Sequence, residues 1–280
     1  MRSAAFVTAG ALLIALASPA AATTVHTVSV NGAVATPTTY TTVQLAALPQ
    51  TTDHGVTGVG LESLIERSAP TLPAGKNTQL RVLLTVTARD HRSVTFALGE
   101  LDPDFGNHPA VLTERGRTVN LVVPGDRGRS RSLDDVTGIR VAVSDASART
   151  PAAGSVVVVG PHRTVTVTAA QLARLPRRTV TVTFLAGTAS QTHTESGPPL
   201  ALVLLAAGVL PNTAVVAVGS DGYGAAVTLA EDRVGGRPLL LSTVEDGVAL
   251  AQPRLVTDGD VKGGRYVSGV VVLQVIPTGR

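Results

Sequence analysis

Short runs of alternating or consecutive apolar residues dominate the chain, and glycine, proline or asparagine ends most of them. In residues 215–231, an apolar β-branched run stops at a Ser-Asp-Gly turn, and apolar/polar alternation resumes after it. Because glycine tolerates the positive φ of a tight turn, this pattern predicts a β-hairpin. Residues 80–100 carry the same pattern, and Glu100 and Glu231 stand at matching places in the two stretches, 131 residues apart. The chain is therefore predicted to contain one structural unit twice.

Two short helices are predicted before each hairpin. Residues 40–49 and 167–176 share a Gln-Leu-Ala-x-Leu-Pro motif, in which proline ends the helix. Residues 58–66 and 197–208 begin with glycine and continue with apolar residues three and four positions apart. The second copy carries about a dozen extra residues, 182–196, whose polar character predicts a surface loop. Loops of this kind often carry binding residues.

The predicted units divide the chain into four segments. Residues 1–22 combine one arginine, an apolar run and an Ala-x-Ala end, which predicts a cleaved signal peptide. The apolar run is shorter than the roughly 20 residues of a membrane span, so we expect a secreted, extracytoplasmic protein with no membrane span in its mature chain. The first domain is predicted at 23–144, a linker at 145–154 and the second domain at 155–280. The twin-arginine signal that directs the export of folded proteins is absent, which favours Sec-type export.

Composition supports a sheet-rich fold and excludes some classes of binding partner. Only 2% of the 280 residues are aromatic and 44% are hydrophobic, so Val, Leu, Ala and Ile must form the core, which favours β-strands. We predict an α+β, mainly β fold of two tandem domains, each a mixed β-sheet core with two short helices. A net charge of +3, with arginines spread among turns, does not indicate a basic surface that would bind nucleic acid. The absence of cysteine excludes disulfides and thiolate ligands.

Both halves resemble the sulfite oxidase-type molybdopterin-binding domain family, also called the oxidoreductase molybdopterin-binding domain. The resemblance covers nearly all of the predicted mature chain. It rests on the Gln-Leu-x-x-Leu-Pro helix, on Ser-Asp-Gly-Tyr-Gly at 220–224 with Leu-Ala-Glu at 229–231, and on Leu-Val-Val-Pro-Gly-Asp at 121–126. The family's enzymes hold molybdenum through a cysteine, whose place in this chain falls near Phe184. The resemblance therefore implies the family's mainly β fold without its metal-centred catalysis, and molybdopterin is implied as a cofactor by the resemblance alone.

A glycine- and arginine-rich loop is the first candidate site. In the family, the loop after the Pro-Gly pair lies against the cofactor's phosphate. Here Gly125, Arg127, Arg129 and Arg131 offer backbone amides and three guanidinium groups that suit phosphate or carboxylate. The alternative is a solvated basic turn.

The tip of the second hairpin is the other candidate site, with Asp221 and Tyr223 as cofactor-binding residues. An aspartate before glycine often caps its own turn, so Asp221 has a purely structural alternative. Tyr223 offers a flat face and a hydroxyl suited to rings or sugars, or it fills the core. No catalytic or metal-ligating residue is predicted, because the histidines lack ligand spacing and no Gly-x-Ser-x-Gly motif occurs.

Three functional hypotheses follow from these observations. The first is a non-catalytic exported protein that binds a small anion, a pterin-like ligand or an envelope protein. The second is a molybdopterin-dependent oxidoreductase with an unusual ligand set. The third is a scaffold within a larger complex. The missing cysteine favours the first.

Overall fold

The computed structural model describes residues 25–209 and 213–277. The predicted signal peptide at 1–22 lies outside the described residues. Strands form 46% of the structure and helices 17%, so the prediction of a mainly β, α+β fold is confirmed. Within the described ranges, no helix is long and apolar enough to cross a membrane.

The first half of the chain contains nine strands and three short α-helices among its described residues, with a 3-10 turn at Thr78–Arg81 before the fifth strand. In chain order they are β1 Thr27–Gly32, β2 Thr38–Thr41, α1 Thr42–Ala46, β3 Thr51–Asp53, β4 Val56–Gly60, α2 Leu61–Arg67, β5 Val82–Ala88, β6 Ser93–Ala97, α3 Leu98–Leu101, β7 Val111–Arg115, β8 Thr118–Val122 and β9 Val136–Val143.

The second half repeats this order of elements, with a 3-10 turn at Gly263–Arg265 before its last strand. Its elements are β10 Val156–Val159, β11 Thr164–Val167, α4 Ala169–Arg174, β12 Arg178–Ala186, β13 Ala189–Gly197, α5 Leu200–Ala206, β14 Thr213–Gly219, β15 Gly224–Thr228, α6 Leu229–Arg233, β16 Leu239–Glu245, β17 Val248–Thr257 and β18 Val270–Pro277.

Each half builds one five-stranded and one four-stranded sheet with the same strand order. The five-stranded sheets run β2-β1-β9-β5-β6 and β11-β10-β18-β14-β15. Both are mixed, because β1 and β10 pair with the last strand of their half in parallel and with the next strand antiparallel. The four-stranded sheets are β3-β4-β7-β8 and β12-β13-β16-β17. The predicted mixed-sheet cores are therefore present in both halves. The prediction of two short helices per half was wrong, because the chain turns into a third helix, α3 or α6, directly after the second strand of each hairpin.

The helices predicted from the Gln-Leu-Ala motif are α1 and α4, and each begins with a reciprocal cap. Thr41 accepts a hydrogen bond from the backbone N–H of Gln44, whose side chain accepts one from the Thr41 backbone. Thr168 and Gln171 form the same pair. Such capping boxes satisfy two helix-end donors at once. This explains why both helices begin directly after a threonine that ends or follows a strand.

The hairpin predicted at 215–231 is formed by β14 and β15, which pair antiparallel from Ala214↔Thr228 to Val218↔Gly224. Gly222 at the tip has φ +83°, the left-handed region that glycine enters without steric cost. The prediction of a glycine-dependent turn is thus confirmed.

The two halves pack against each other through an apolar surface. Leu83 and Ala97 of the first half belong to the same buried cluster as Val216 and Ala226 of the second. Phe105, also from the first half, packs into the main cluster of the second half. The halves therefore bury apolar area against each other, which stabilises their association by roughly 25 cal/mol per Å².

Two reciprocal backbone hydrogen bonds mark this junction. The Arg127 N–H donates to the carbonyl of Val234 at 2.9 Å, and the Val261 N–H donates to the carbonyl of Phe105 at 2.7 Å. Arg127 and Val261 follow corresponding Asp126 and Asp260 turns in the two halves. The contact is reciprocal, as in an isologous dimer interface.

The segment between the halves, residues 145–154, contains no helix or strand. It is nevertheless packed, because Ala146 is 8% exposed and its carbonyl accepts a hydrogen bond from Arg81 Nη1 at 2.7 Å. The predicted domain limits on either side of it stay a prediction.

Candidate ligand-binding cleft

A cleft of about 1270 Å³ lies where the two halves meet. The first half lines it with one face of α2, the turn before β5 and the segment after α3. The second half lines it with the end of β12, the tip of the β14–β15 hairpin and residues 262–266. This volume exceeds the roughly 300–1,000 Å³ that is common for ligand pockets, so the cleft has room for a small molecule.

Aromatic side chains are concentrated around this cleft. The sequence contains four phenylalanines, three tyrosines and no tryptophan, and Phe105, Phe184, Tyr223 and Tyr266 line the cleft. More than half of the chain's aromatic residues therefore surround one space. The rings of Phe184 and Tyr266 pack together with centroids 4.3 Å apart, so the wall is preassembled.

Tyr223 is fixed in the lining by hydrogen bonds from both halves. Its hydroxyl donates to the carbonyl of Gly264 at 2.5 Å and accepts from Asn77 Nδ2 at 3.3 Å. Burial of the half-exposed phenol raises its pKa. The structure thus places Tyr223 in a cleft, as a binding residue requires, with its ring partly packed on the core. Its binding role stays a prediction.

Asp221 lies beside Tyr223 and also lines the cleft. Its Oδ1 accepts a hydrogen bond from the Tyr223 backbone N–H at 2.9 Å. This is the turn-capping geometry that the sequence offers as the alternative to ligand binding. The side chain therefore has a structural role whether or not a ligand is present.

The cleft is walled by the long β12–β13 hairpin, which corrects the prediction of a surface loop at 182–196. Nine residues from each strand pair from Arg178↔Gly197 to Ala186↔Ala189. The end of β12 is anchored near the cleft, because the Leu185 N–H donates to the Val261 carbonyl at 2.8 Å. The corresponding β3–β4 pair of the first half joins only three residue positions, so it forms no equivalent wall.

Carboxylates outnumber cationic groups in the lining. Helix α2 contributes Glu62 and Glu66 one turn apart, and the segment after α3 contributes Asp102 and Asp104. Their cationic neighbours in the lining are two lysines. Lys262 Nζ lies 2.5 Å from Asp104 Oδ1. With Asp221 included, five carboxylates face two ammonium groups.

This crowding perturbs Glu62 of α2. Burial raises the pKa of Glu62 to about 8, and the hydrogen bond that its protonated carboxyl donates to Glu66, the charge of Glu66 and the charge of Asp102 raise it further. Burial likewise raises the pKa of Asp102. At neutral pH the Glu62 carboxyl therefore keeps a proton that an isolated, exposed carboxyl would have lost.

The basic loop at 125–131 lies elsewhere, and its arginines do not converge. Arg131 is 2% exposed and points inward, where Nη1 binds Glu100 Oε1 at 2.5 Å and Nη2 binds Asp126 Oδ1 at 2.5 Å. Arg127 and Arg129 remain exposed. The expectation of three guanidinium groups around one anion is thus corrected for Arg131, whose donors serve internal carboxylates. Anion binding by the other two stays a prediction.

Gly125 is required by packing in the same loop. A Cβ at this position would lie 2.6 Å from the His108 ring, and His108 Nε2 lies 3.0 Å from Asp126 Oδ1. Glycine therefore lets the imidazole approach the carboxylate. This role is independent of any ligand.

A matching buried ion-pair cluster occurs in the second half. Arg265 is fully buried, and it binds Glu231 Oε2 at 2.7 Å and both carboxylate oxygens of Asp260 at 2.6 and 2.9 Å. Arg237 also binds Asp260, at 2.6 Å. The acidic turn of the second half is thus neutralised internally.

The two clusters influence each other across the junction. Burial raises the pKa of Glu100 to about 7 with a further contribution from the charge of Glu231, while Arg131 and Arg265 oppose the shift. Arg265 also packs against Gly99, where a Cβ would lie 2.9 Å from its Cδ. The buried charges therefore form one network that joins the halves.

Comparison with known proteins gives a distant structural likeness. No protein-family model matches the chain, and no curated protein matches it. Among solved structures, the sulfane dehydrogenase SoxCD from Paracoccus pantotrophus is similar with 18% sequence identity and a TM-score of 0.37. The similarity covers 59% of this chain and 49% of that chain, which is about half of its length. Membership of the sulfite oxidase-type family stays a prediction at this level.

Most of the cleft lining was not predicted from the sequence. Glu62 and Glu66 stand four positions apart and so share one face of α2, which is the one local signal for this part of the lining. Asp102 reaches the cleft from a separate segment. Phe184 was noted only as the place of the family's cysteine. In the described part of the chain, no group of three or more acidic or histidine side chains is placed to hold a metal ion.

Proposed function

We propose that this protein binds a small ring-containing molecule in the cleft between its two halves and does not transform it. The observation that carries this proposal is the concentration of four of the chain's seven aromatic residues around one cleft. In a protein with no tryptophan and few other rings, so many aromatic residues in the lining of one cleft favour a ligand that packs against them.

The rigidity of the wall supports binding. Tyr223 is held by a hydrogen bond from each side of the junction, and Phe184 is packed on Tyr266. Rings that are already ordered lose little conformational freedom when a ligand arrives, which improves affinity.

The residues present do not fit a molybdenum-bearing pterin. The place of the family's cysteine falls near Phe184, and the sequence contains no cysteine. Arg131, one of the predicted phosphate ligands, is bound to two internal carboxylates. The excess of carboxylates in the cleft also opposes a phosphate group there. A pterin-like ring without phosphate remains compatible with the aromatic wall.

We further propose, from the sequence of residues 1–22, that the protein acts outside the cytoplasm. A ligand of this site would then be a compound taken from the cell exterior or the envelope space. The binding experiment does not depend on this location.

The test is isothermal titration of the mature chain with pterin, indole and flavin ring compounds, using a variant that fills the cleft. Ala186 is exposed and lines the cleft at the end of β12, so Ala186→Trp should reduce the affinity of a binding ring compound at least tenfold. Ala249→Trp is the matched control, because Ala249 is an exposed alanine of the same sheet outside the lining.

Both variants should keep the wild-type melting temperature. Unchanged affinity in Ala186→Trp would place the ligand elsewhere and overturn the proposal. Failure of every ring compound to bind would also reject it and leave the envelope-partner and scaffold hypotheses.

A further inference from the structure

We infer that the free edge of β12 pairs with β12 of a second copy of this chain, antiparallel about a twofold axis at Thr181. The four-stranded sheets of the two copies would then form one continuous sheet. The inference is carried by the backbone geometry of β12 and by the symmetry of its sequence. It goes beyond ligand binding in the cleft, since the pairing requires no ligand.

Strand β12 lies at the outer edge of the β12-β13-β16-β17 sheet. Successive residues of a strand direct their backbone groups to opposite sides. The Leu185 N–H points away from β13, because it donates to the Val261 carbonyl. Thr179, Thr181 and Thr183 therefore direct their N–H and C=O groups to the same outer side. Within the described ranges, no backbone–backbone hydrogen bond reaches these groups, so each threonine offers a free donor and a free acceptor.

The other edge strands are short, covered or interrupted. Strand β3 has three residues, and β2 and β11 have four each. Strands β6 and β15 face the junction between the halves, and Leu121 of β8 exchanges two hydrogen bonds with Leu133. Strand β17 contains Pro253, which lacks an N–H, and its Ala251 carbonyl accepts from the Gly154 N–H. Proteins protect sheet edges in such ways because an unprotected edge pairs with another chain.

The sequence of the free edge suits a second copy. Residues 179–183 are Thr-Val-Thr-Val-Thr, which is the same in both directions about Thr181. In an antiparallel pairing centred there, threonine meets threonine on one face and valine meets valine on the other. Threonine hydroxyls already meet across the hairpin, where Thr183 Oγ1 lies 2.9 Å from Thr192 Oγ1. Cross-strand threonine and β-branched pairs stabilise sheets, so each position of the edge has a suitable partner in the second copy.

The ends of the paired segment also fit each other. Pairing about Thr181 places residue 177 of one copy opposite Leu185 of the other, where Val261 already occupies the edge. The pairing therefore covers residues 178–184 of each copy. This register brings the Arg177–Arg178 end of one copy next to the cleft end of the other, and carboxylates outnumber cations in the lining of that cleft. Opposite charges across an interface favour one register over others.

The first test is sedimentation analysis of the mature chain over a range of concentrations. One strand pair buries less than the roughly 1,200–2,000 Å² of a standard interface, so the association should be reversible. The concentration is raised from about 1 μM to about 1 mM, which covers weak affinities. We expect the average mass to rise from that of one chain toward that of two.

A charge at position 181 tests the axis, because this residue would meet its own copy. Thr181→Lys and Thr181→Glu should each raise the Kd of the dimer about tenfold or more through like-charge repulsion. An equimolar mixture of these two variants should restore the wild-type Kd to within about threefold, because opposite charges then meet.

Thr194→Lys and Thr194→Glu are the matched controls. Thr194 is exposed and lies opposite Thr181 on β13, one strand inside the edge. The two copies of Thr194 would be separated by more than the Debye length of about 8 Å, so each control should change the Kd less than about threefold.

Three results would overturn the inference. A wild-type chain that stays monomeric up to about 1 mM rejects the second copy as the occupant and leaves the edge to an extended segment of another protein. Equal loss of the dimer in the Thr194 and Thr181 variants rejects the edge as the interface. A mixture of Thr181→Lys and Thr181→Glu that does not dimerise rejects the twofold axis at Thr181.

Discussion

Replacing Arg265 tests whether buried ion pairs hold the second half together and join it to the first. The guanidinium is fully buried and binds Glu231 at 2.7 Å and Asp260 at 2.6 and 2.9 Å. Arg265→Met keeps most of the aliphatic stem but leaves both carboxylates without this partner. Removing one member of a buried ion pair costs about 3–5 kcal/mol, because the remaining charge stays desolvated.

The free-energy cost can be measured by urea denaturation, and the melting temperature by thermal denaturation, both followed by circular dichroism. At about 2–4 °C per kcal/mol for a protein of this size, we expect the melting temperature to fall by about 6–20 °C. Arg178→Met is the matched control, since Arg178 Nη1 lies 3.7 Å from Asp232 Oδ1 with 48% of its side chain exposed. Exposed pairs of this kind contribute about 0–1 kcal/mol.

A double variant isolates the charge effect. Arg265→Met/Glu231→Gln should lose less stability than the sum of its two single variants, because the neutral amide no longer leaves an unpaired charge. The reasoning is refuted if Arg265→Met falls within about 1 kcal/mol of Arg178→Met, the range of an exposed pair. Strict additivity in the double variant would refute it as well.

Two further predictions concern the first half. Burial and nearby Glu231 raise the pKa of Glu100 to about 7, so the free energy of unfolding that its protonated carboxyl contributes is complete below the unfolded-state pKa and is lost as pH rises through about 7. Denaturation across pH 5–8 should therefore show the wild type losing stability relative to Glu100→Gln. Parallel stability curves for the two proteins would contradict this. Gly125→Ala should destabilise by about 1–3 kcal/mol through overpacking on the ring of His108, whereas Gly128→Ala, with nothing within 4 Å of its Cβ, should be nearly neutral in the same thermal melts.

The sequence was sufficient for elements that depend on local pattern. The hairpin at 215–231 and the capped helices α1 and α4 follow from alternation, glycine and capping residues within a few positions. The β12–β13 hairpin was mistaken for a loop because β13 is polar along most of its length and lacks the apolar alternation that marks a half-buried strand. Strand β12 does carry this alternation, with Val182 and Phe184 buried beside exposed threonines. The sequence therefore indicated that this segment is polar but did not indicate that its two strands pair.

The cleft and the direction of Arg131 depend on long-range contacts, which local pattern does not contain. Arg127, Arg129 and Arg131 are equivalent charges in the sequence of the loop. In the structure, however, only Arg131 reaches the buried Glu100. A signal was present in the matching positions of Glu100 and Glu231, since glutamates at core positions require buried cationic partners. Searching for arginines at matching positions would have found the network.

Corresponding and non-corresponding residues of the two halves have different roles. The ion-pair network uses residues present in both halves, since Glu100 and Arg131 correspond to Glu231 and Arg265. The cleft instead uses residues that one half lacks: 131 positions after Asp102 the chain has Arg233. The hairpin that matches β12–β13 in the first half, β3–β4, pairs only three residue positions. The common residues therefore account for stability, and the differences in hairpin length and charge account for the acidic, aromatic lining of the cleft.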